Sequence, residues 1–156
     1  MITVVNENLM EAFNNPKVDA VIHQVNCQGV MGSGVAGDIR KAYPQHYTDY
    51  IETCADDQIS RLLGWDMCTE TDDKPIHAIF SQEYYGNDGA LYSSYWALHM
   101  GILEVISSMM YWSYRTIALP YGIGCGLGGG DWDKVMFLLE MLDEAHLDLD
   151  IILYKI

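Results

Sequence analysis

Two glycine-rich segments are the clearest sign of chemistry in this sequence. Loop one spans residues 26–37 and loop two spans residues 120–132, and each follows an apolar run and leads into a helical pattern. Glycines let the backbone approach a ligand closely, and the N-terminus of a helix offers unpaired N–H groups at a positive dipole end. Two such loops at two strand ends could hold a diphosphate from both sides, whereas either loop alone could be a tight connection without a ligand.

Neither loop is interpreted as a common nucleotide-binding motif. The sequence contains no Gly-Lys-Ser/Thr, so it has no P-loop, and neither loop is interpreted as a Rossmann fingerprint with its acidic ribose ligand about 20 residues further on. An anion in these loops would therefore be held by backbone N–H groups rather than by a lysine.

Two ionisable residues beside the loops could do acid–base work. His23 stands three residues before loop one and could donate a proton to a leaving oxygen, because imidazole titrates near neutrality. Its alternation with Val21 and Val25 is equally typical of a buried core histidine. Asp131, at the end of loop two, could orient an attacking water, or it could simply cap the helix that follows.

The cysteines and the other histidines give weaker signals. Cys27 and Cys125 lie in the loops, where a helix N-terminus could acidify a thiol, although small cysteines that fill loop interiors are commoner. The four cysteines include no C-x-x-C pair, so we expect free thiols, no zinc site and no cofactor. The remaining histidines share no spacing and are expected to be scattered through core and surface: His46, His77, His99 and His146.

Composition limits the possible partners. The 156 residues predict one domain, residues 1–156, and 22 acidic against 8 basic residues give a net charge of −14. This charge argues against a nucleic-acid surface and against binding to an anionic membrane. The N-terminus lacks a signal-peptide pattern, and the apolar segment at residues 92–112 fits a helix better than a membrane span, so a cytoplasmic protein is expected. The oligomeric state is left open.

The elements that must position the loops alternate along the chain. Apolar and β-branched runs predict strands at residues 2–5, 18–25, 62–68, 76–80, 115–119 and 149–154. Helical patterns occupy residues 35–54, divided at Pro44, and residues 91–112 and 131–146. This order predicts the α/β class, as a three-layer α/β/α sandwich around a mixed, mostly parallel sheet of about six strands.

Several motifs resemble the macrodomain family, whose members bind ADP-ribose. The resemblance covers essentially the whole chain and is nearest to the yeast-type ADP-ribose 1''-phosphate phosphatase branch. The matching stretches are His-Gln-Val-Asn-Cys-Gln-Gly at 23–29, Gly-Ser-Gly-Val-Ala at 32–36, Ala-Tyr-Pro at 42–44, Leu-Leu-Gly at 62–64 and Leu-Tyr at 153–154. Ile-Gly-Cys-Gly-Leu at 123–127 also resembles the branch that removes ADP-ribose from acidic side chains.

The resemblance implies a ligand-binding role for both loops. In loop one, the implied contacts to the distal ribose and one phosphate are Asn26, Cys27, Gly29, Val30, Met31, Gly32, Ser33, Gly34 and Val35. In loop two, the implied contacts to the diphosphate are Tyr121, Gly122, Ile123, Gly124, Cys125, Gly126 and Leu127. Asn8 would read the adenine amino group, and Tyr154 would lie beside the adenine ring.

Two departures from the family bear on the reaction. The branch acting on acidic side chains uses a Lys and an Asp where this chain has Gln82 and Gly128, so its lysine adduct cannot form here. Other mono-ADP-ribosyl hydrolases carry Asp-Gly where this chain has Ala-Gly at 36–37. These absences favour either phosphatase activity or plain binding. Of the two, the first hypothesis is hydrolysis of ADP-ribose 1''-phosphate, with His23 as acid and Asp131 aligning water. The alternatives are a non-catalytic binder of ADP-ribose or a related nucleotide, and a hydrolase that removes ADP-ribose from modified macromolecules.

Overall fold

Strands and helices alternate along the chain, as the apolar periodicity predicts. The structure, a computed structural model, describes residues 1–32, 34–55 and 63–156. Its strands are β1 (Ile2–Val5), β2 (Ala20–Asn26), β3 (Asp66–Thr69), β4 (Ile76–Gln82), β5 (Thr116–Pro120) and β6 (Asp150–Tyr154). Its helices are α1 (Gly34–Ala42), α2 (Pro44–Cys54), α3 (Tyr95–Tyr111) and α4 (Trp132–Ala145), with a 3₁₀ helix at Leu9–Asn14.

The six strands form one mixed sheet in the order β1-β6-β5-β2-β4-β3. Every pair is parallel except β3 with β4. Side chains alternate between the two faces: Ile22 and Ile79 pack with α3 and α4, while Val25 and Phe80 pack with α2 on the other face. The predicted three-layer α/β/α sandwich is confirmed.

Local signals set most of the helix boundaries. Pro44 opens α2, so it separates α1 from α2 as predicted. The side chains of Ser94 and Asp131 cap α3 and α4 by accepting N–H bonds from Ala97 and Asp133. Helix α3 begins later than the predicted residue 91, because Ser93 first forms a bridge with the end of β4.

Two other elements differ from the sequence prediction. Strand β3 begins at Asp66 rather than at Leu62, which lies outside the described residues. The 3₁₀ helix was not predicted, because its six residues are too few to reveal a period. None of the helices in the described ranges is long and apolar enough to cross a membrane.

A gap between β2 and β5 opens a crevice at one end of the sheet. The two strands pair only at Ala20 with Ile117 and at Val21 with Ala118, and β2 continues to Asn26 beyond that point. Loop one leaves the end of β2 and loop two leaves the end of β5. Ligands of parallel α/β sheets bind at such a crevice beyond the carboxyl ends of the strands.

Candidate functional site

A cleft of about 830 Å³ lies between loop one and loop two. The floor is the second half of β2, and the walls are the two loops and the segment that follows β4. Twelve residues named by the sequence analysis line it: His23, Asn26, Val30, Gly32, Gly34, Val35, Tyr121, Gly122, Ile123, Gly124, Gly126 and Leu127. The structure therefore brings the two glycine loops together around one space.

The other sequence-predicted residues lie outside the lining of this cleft. Asn8 is exposed and caps the 3₁₀ helix, and Tyr154 is buried with its hydroxyl accepting a hydrogen bond from Asn15. Asp131 caps α4. Gly29, the buried Cys27 and Met31, and the half-buried Cys125 belong to the loops without lining the space. Ser33 lies outside the described residues.

Loop one is built around the side chain of Asn26. Its amide nitrogen donates to the carbonyl of Val30 at 2.8 Å, and its amide oxygen accepts from the N–H of Gln28 at 2.9 Å. The buried Tyr50 of α2 donates its hydroxyl to the same amide oxygen at 2.8 Å. Because these bonds are internal, the present geometry uses Asn26 to shape the loop rather than to meet a ribose hydroxyl.

Loop two is tied to the rest of the cleft through Ser93. The Ser93 hydroxyl donates to the carbonyl of Gly124 at 2.7 Å, and the Ser93 N–H donates to the carbonyl of Gly128 at 2.9 Å. Gln24 on β2 donates to the Ser93 hydroxyl at 2.9 Å and to the side chain of Gln82 at 2.8 Å. A Cβ atom on Gly128 would overlap the Ser93 oxygen, so a glycine is needed here for close packing.

Nine further residues line the cleft although the sequence analysis assigned them no ligand contact: Gln24, Val25, Ala36, Gln82, Tyr85, Gly86, Asn87, Pro120 and Gly128. Gln82 and Gly128 entered that analysis only as departures from the catalytic residues of a related branch. Gln82, Tyr85 and Asn87 belong to or follow the end of β4, and the rule that ligands lie beyond carboxyl ends of parallel strands could have identified this segment. Gln24 had no such signal, because its role depends on partners far away in the sequence.

The loop thiols are not activated. Burial raises the pKa of Cys27 to about 12. Burial and the nearby Asp131 also raise the pKa of Cys125. Both effects favour the neutral thiol, so the two cysteines fit the space-filling role better than the reactive one.

His23 is buried and paired with another histidine. Its side chain points to the α2 face, where its Nε2 lies 2.8 Å from Nε2 of His46, and the residue is 1% exposed. Burial and the neighbouring His46 hold the pKa of His23 well below its ordinary value. At neutral pH the ring is therefore uncharged, which disfavours the proton-donating role and favours the core histidine that the sequence also allowed. His46 is likewise not a scattered residue but a direct partner of His23.

We expect this histidine cluster to make the protein sensitive to acid. Burial lowers the pKa of His46 to about 4, whereas in an unfolded chain it would be about 6.5. The unfolded state thus binds more protons between these values, so stability falls as pH drops from about 6.5 to about 4. Between these pH values, the free energy of unfolding of His46→Gln should fall by about 2–3 kcal/mol less than that of wild type, as measured by urea unfolding.

His77 should act in the opposite direction. Burial alone would lower its pKa, but hydrogen bonds with Asp66 and Cys68 raise the pKa to about 9. Its contribution to stability is present below about pH 6.5 and is lost as the pH rises through about 9.

His99→Gln is the control for the His46→Gln experiment, because His99 lies on α3, away from the His23–His46 pair. If His46→Gln and His99→Gln give the same acid slope as wild type, the His23–His46 pair does not determine the dependence.

The cleft offers hydrogen bonds without fixed charges. Among the described residues, its lining includes no Asp, Glu, Lys or Arg side chain, and His23 is uncharged. Within the same described ranges, no group of three or more His, Cys, Asp or Glu side chains is placed to hold a metal ion. Such a site can bind a polar ligand through backbone N–H groups and amides and can orient hydroxyl groups or water.

Comparison with known proteins identifies the fold and the family. The Macro domain family model matches residues 22–139. The DNA ADP-ribosyl glycohydrolases of Thermus aquaticus and Mycobacterium tuberculosis are each 27% identical over 99% of this chain. This chain spans 41–42% of the length of these curated relatives.

Solved structures give the same assignment. The macrodomain of Mycobacterium tuberculosis DarG is 25% identical with a TM-score of 0.79, over 99% of this chain and 97% of that one. Thermosipho africanus DarTG, solved in complex with ADP-ribose, is 17% identical with a TM-score of 0.78, over 99% of this chain and 41% of that one, and supports the fold alone. With the family match covering most of its residues, the chain belongs to the Macro domain family.

Proposed function

We propose that this macrodomain binds an ADP-ribose group in the cleft and hydrolyses the bond between its distal ribose and a modified macromolecule. The observation that carries the proposal is the meeting of two glycine loops around one cleft of about 830 Å³. That volume is within the range of small-molecule sites, roughly 300–1,000 Å³. Relatives matched over 99% of this chain are glycohydrolases that act on ADP-ribosyl groups, which supports this reaction over phosphate release.

The proposed binding uses the backbone more than charged side chains. Gly32 and Gly126 line the cleft with open space in front of their Cα atoms, so a diphosphate can approach the main chain. Loop one leads into α1 and loop two leads into α4, which places a helix N-terminus behind each loop. An anionic ligand can then bind although the protein is strongly acidic.

The proposed hydrolysis proceeds by direct attack of water. The water oxygen bonds to the anomeric carbon of the distal ribose as the bond to the macromolecule breaks. One proton of the water stays on the new hydroxyl of ADP-ribose, and the other passes to the leaving group. A lysine adduct is not part of this route, because Gln82 occupies the position of the lysine used by the related branch. The neutral amides of Gln24 and Gln82 lie at the floor of the cleft, where they hydrogen-bond to each other.

DNA is the first macromolecule to test, because the curated relatives are named for it. The net charge of −14 opposes contacts with a long phosphate backbone. We therefore propose that this chain recognises the modified nucleotide itself and has little affinity for unmodified DNA. The phosphatase reaction favoured by the sequence analysis stays a prediction, and the uncharged state of His23 weighs against its acid step.

A single set of assays tests the proposal. Calorimetry should give micromolar-range affinity for ADP-ribose, about −8 kcal/mol, and no heat with unmodified DNA. Release of ADP-ribose should be followed from an ADP-ribosylated DNA oligonucleotide and an ADP-ribosylated acidic peptide, beside phosphate release from ADP-ribose 1''-phosphate. If the proposal is correct, ADP-ribose is released from the DNA oligonucleotide faster than in a control without protein. Turnover of the 1''-phosphate alone would replace it with the phosphatase reaction.

A non-catalytic binder is the second candidate. It is favoured by the absence of charged side chains among the described residues that line the cleft. It predicts the same affinity for ADP-ribose with no turnover of any of the three substrates. No binding of ADP-ribose at millimolar concentration would reject both candidates.

A further inference from the structure

A line of buried hydrogen bonds connects the cleft residue His23 with α2. Nε2 of His23 lies 2.8 Å from Nε2 of His46, and Nδ1 of His46 lies 2.8 Å from the hydroxyl of Thr69. The Thr69 hydroxyl donates to the carboxylate of Asp49 at 2.7 Å. His23, His46 and Thr69 are all buried, and Asp49 is half-buried. No residue of this line other than His23 contributes to the cleft.

The carboxylate fixes the direction of every bond in the line. The Thr69 hydroxyl has one proton and donates it to Asp49, so it must accept from His46. Nδ1 of His46 therefore carries a proton, and because burial keeps His46 neutral, its Nε2 carries none. The short contact between the two rings then requires the proton to be on Nε2 of His23.

This assignment leaves Nδ1 of His23 as a bare lone pair. Nδ1 is also the one buried side-chain nitrogen or oxygen without a hydrogen-bond partner in the described part of the chain. Leaving a buried acceptor unpaired costs free energy, so such an atom calls for a partner. His23 contributes to the lining of the cleft in which the proposed ligand lies, and because its Nδ1 is covered by neighbouring atoms, a ligand hydroxyl must displace those atoms to contact it.

We propose that Asp49, through Thr69 and His46, holds His23 in the Nε2–H tautomer so that its Nδ1 accepts a hydrogen bond from a hydroxyl of the distal ribose. Asp49, Thr69 and His46 are positioning residues, because they act through His23 and do not touch the ligand. This inference rests on the proposed binding of ADP-ribose for its last step only. The tautomer follows from hydrogen bonds among residues of the protein itself.

Histidine ring nitrogens report the tautomer directly. We would label the protein with ¹⁵N and record long-range ring correlations at about pH 8, above the ordinary histidine pKa. His146 provides an internal reference of the opposite tautomer, because its Nδ1 donates to the carbonyl of Leu142. The expected result is an unprotonated Nδ1 on His23 and a protonated Nδ1 on His46. The reverse pattern on His23 would overturn the proposal without any ligand.

Adding a ligand tests the second part of the proposal, the hydrogen bond from the distal ribose to His23. ADP-ribose should shift the His23 Nδ1 resonance, whereas ADP, which lacks the distal ribose, should leave it in place. If calorimetry detects ADP-ribose binding and Nδ1 does not move, or moves equally with ADP, the ribose contact is wrong while the proposed binding stands. If ADP-ribose does not bind, the proposed function fails instead, and the tautomer result is unaffected.

Variants at Thr69 separate positioning from packing. Thr69→Val keeps the shape but removes the hydroxyl, so His23 should populate both tautomers and ADP-ribose affinity should fall about three- to tenfold. Thr69→Ser keeps the hydroxyl and should restore both the tautomer and the affinity, although it loses a methyl group. If folded Thr69→Val binds ADP-ribose as tightly as wild type, the hydrogen bonds through Thr69 do not position His23. The same conclusion follows if Thr69→Ser loses as much affinity as Thr69→Val.

Discussion

Replacing Gly32 with glutamate should lower the affinity for ADP-ribose at least about tenfold, more than 1.4 kcal/mol, while the protein stays folded. Gly32 lines the cleft, and a Cβ atom at this position would meet no other atom within 4 Å. The added side chain therefore extends into the cleft rather than into the core. It fills space that a ligand needs and places a negative charge beside the proposed site of a diphosphate. Calorimetry, with circular dichroism on the same samples, measures both outcomes.

Gly32 is a better site for this test than its neighbour Gly34. Gly34 has a φ of +58°, which side-chain-bearing residues rarely adopt, so Gly34→Glu would add backbone strain to the effect on the ligand. Ser108→Glu is a matched control for charge, since Ser108 is exposed on α3 fourteen residues beyond its N-terminal cap. It should bind like wild type. Full affinity in folded Gly32→Glu would place the ligand outside this cleft.

The sequence predicts the fold because its signals are local. Each strand is an apolar run, and the helix breaks at Pro44 and the caps at Ser94 and Asp131 depend on neighbours a few residues away. The glycine loops are predicted for the same reason, and their meeting around one cleft follows from the rule for parallel sheets. Only the backbone path is needed for these conclusions.

Side-chain pairings across the sheet could not be predicted in the same way. His23 and His46 are 23 residues apart and meet because α2 packs on the face of β2 that carries His23. Gln24 points to the opposite face and reaches Ser93, 69 residues away. A one-residue change in register would exchange these two environments, and sequence periodicity alone assigns neither partner. The catalytic role expected for His23 depended on whether its ring is buried beside another residue, which the sequence does not show.

We expect the largest loss of stability from Gly129→Ala. Gly129 has a φ of +73°, and a Cβ atom there would lie well inside 3.0 Å of the backbone carbonyl of Ala90. Left-handed strain costs an alanine about 1–2 kcal/mol, and overpacking adds about 1–3 kcal/mol, so unfolding should require about 2–5 kcal/mol less free energy. No rotamer change relieves the collision, because the obstructing atoms belong to the main chain. Urea unfolding measures the difference.

Gly126→Ala supplies the matched control within the same loop. Gly126 does not have a positive φ, and a Cβ atom there meets no other atom within 4 Å, so stability should stay within about 0.5 kcal/mol of wild type. In Gly129→Ala, relief of the collision must move loop two away from the segment before α3, to which Ser93 ties the carbonyls of Gly124 and Gly128. Affinity for ADP-ribose should therefore fall together with stability. If Gly129→Ala is as stable as Gly126→Ala, loop two does not pack on Ala90 as described.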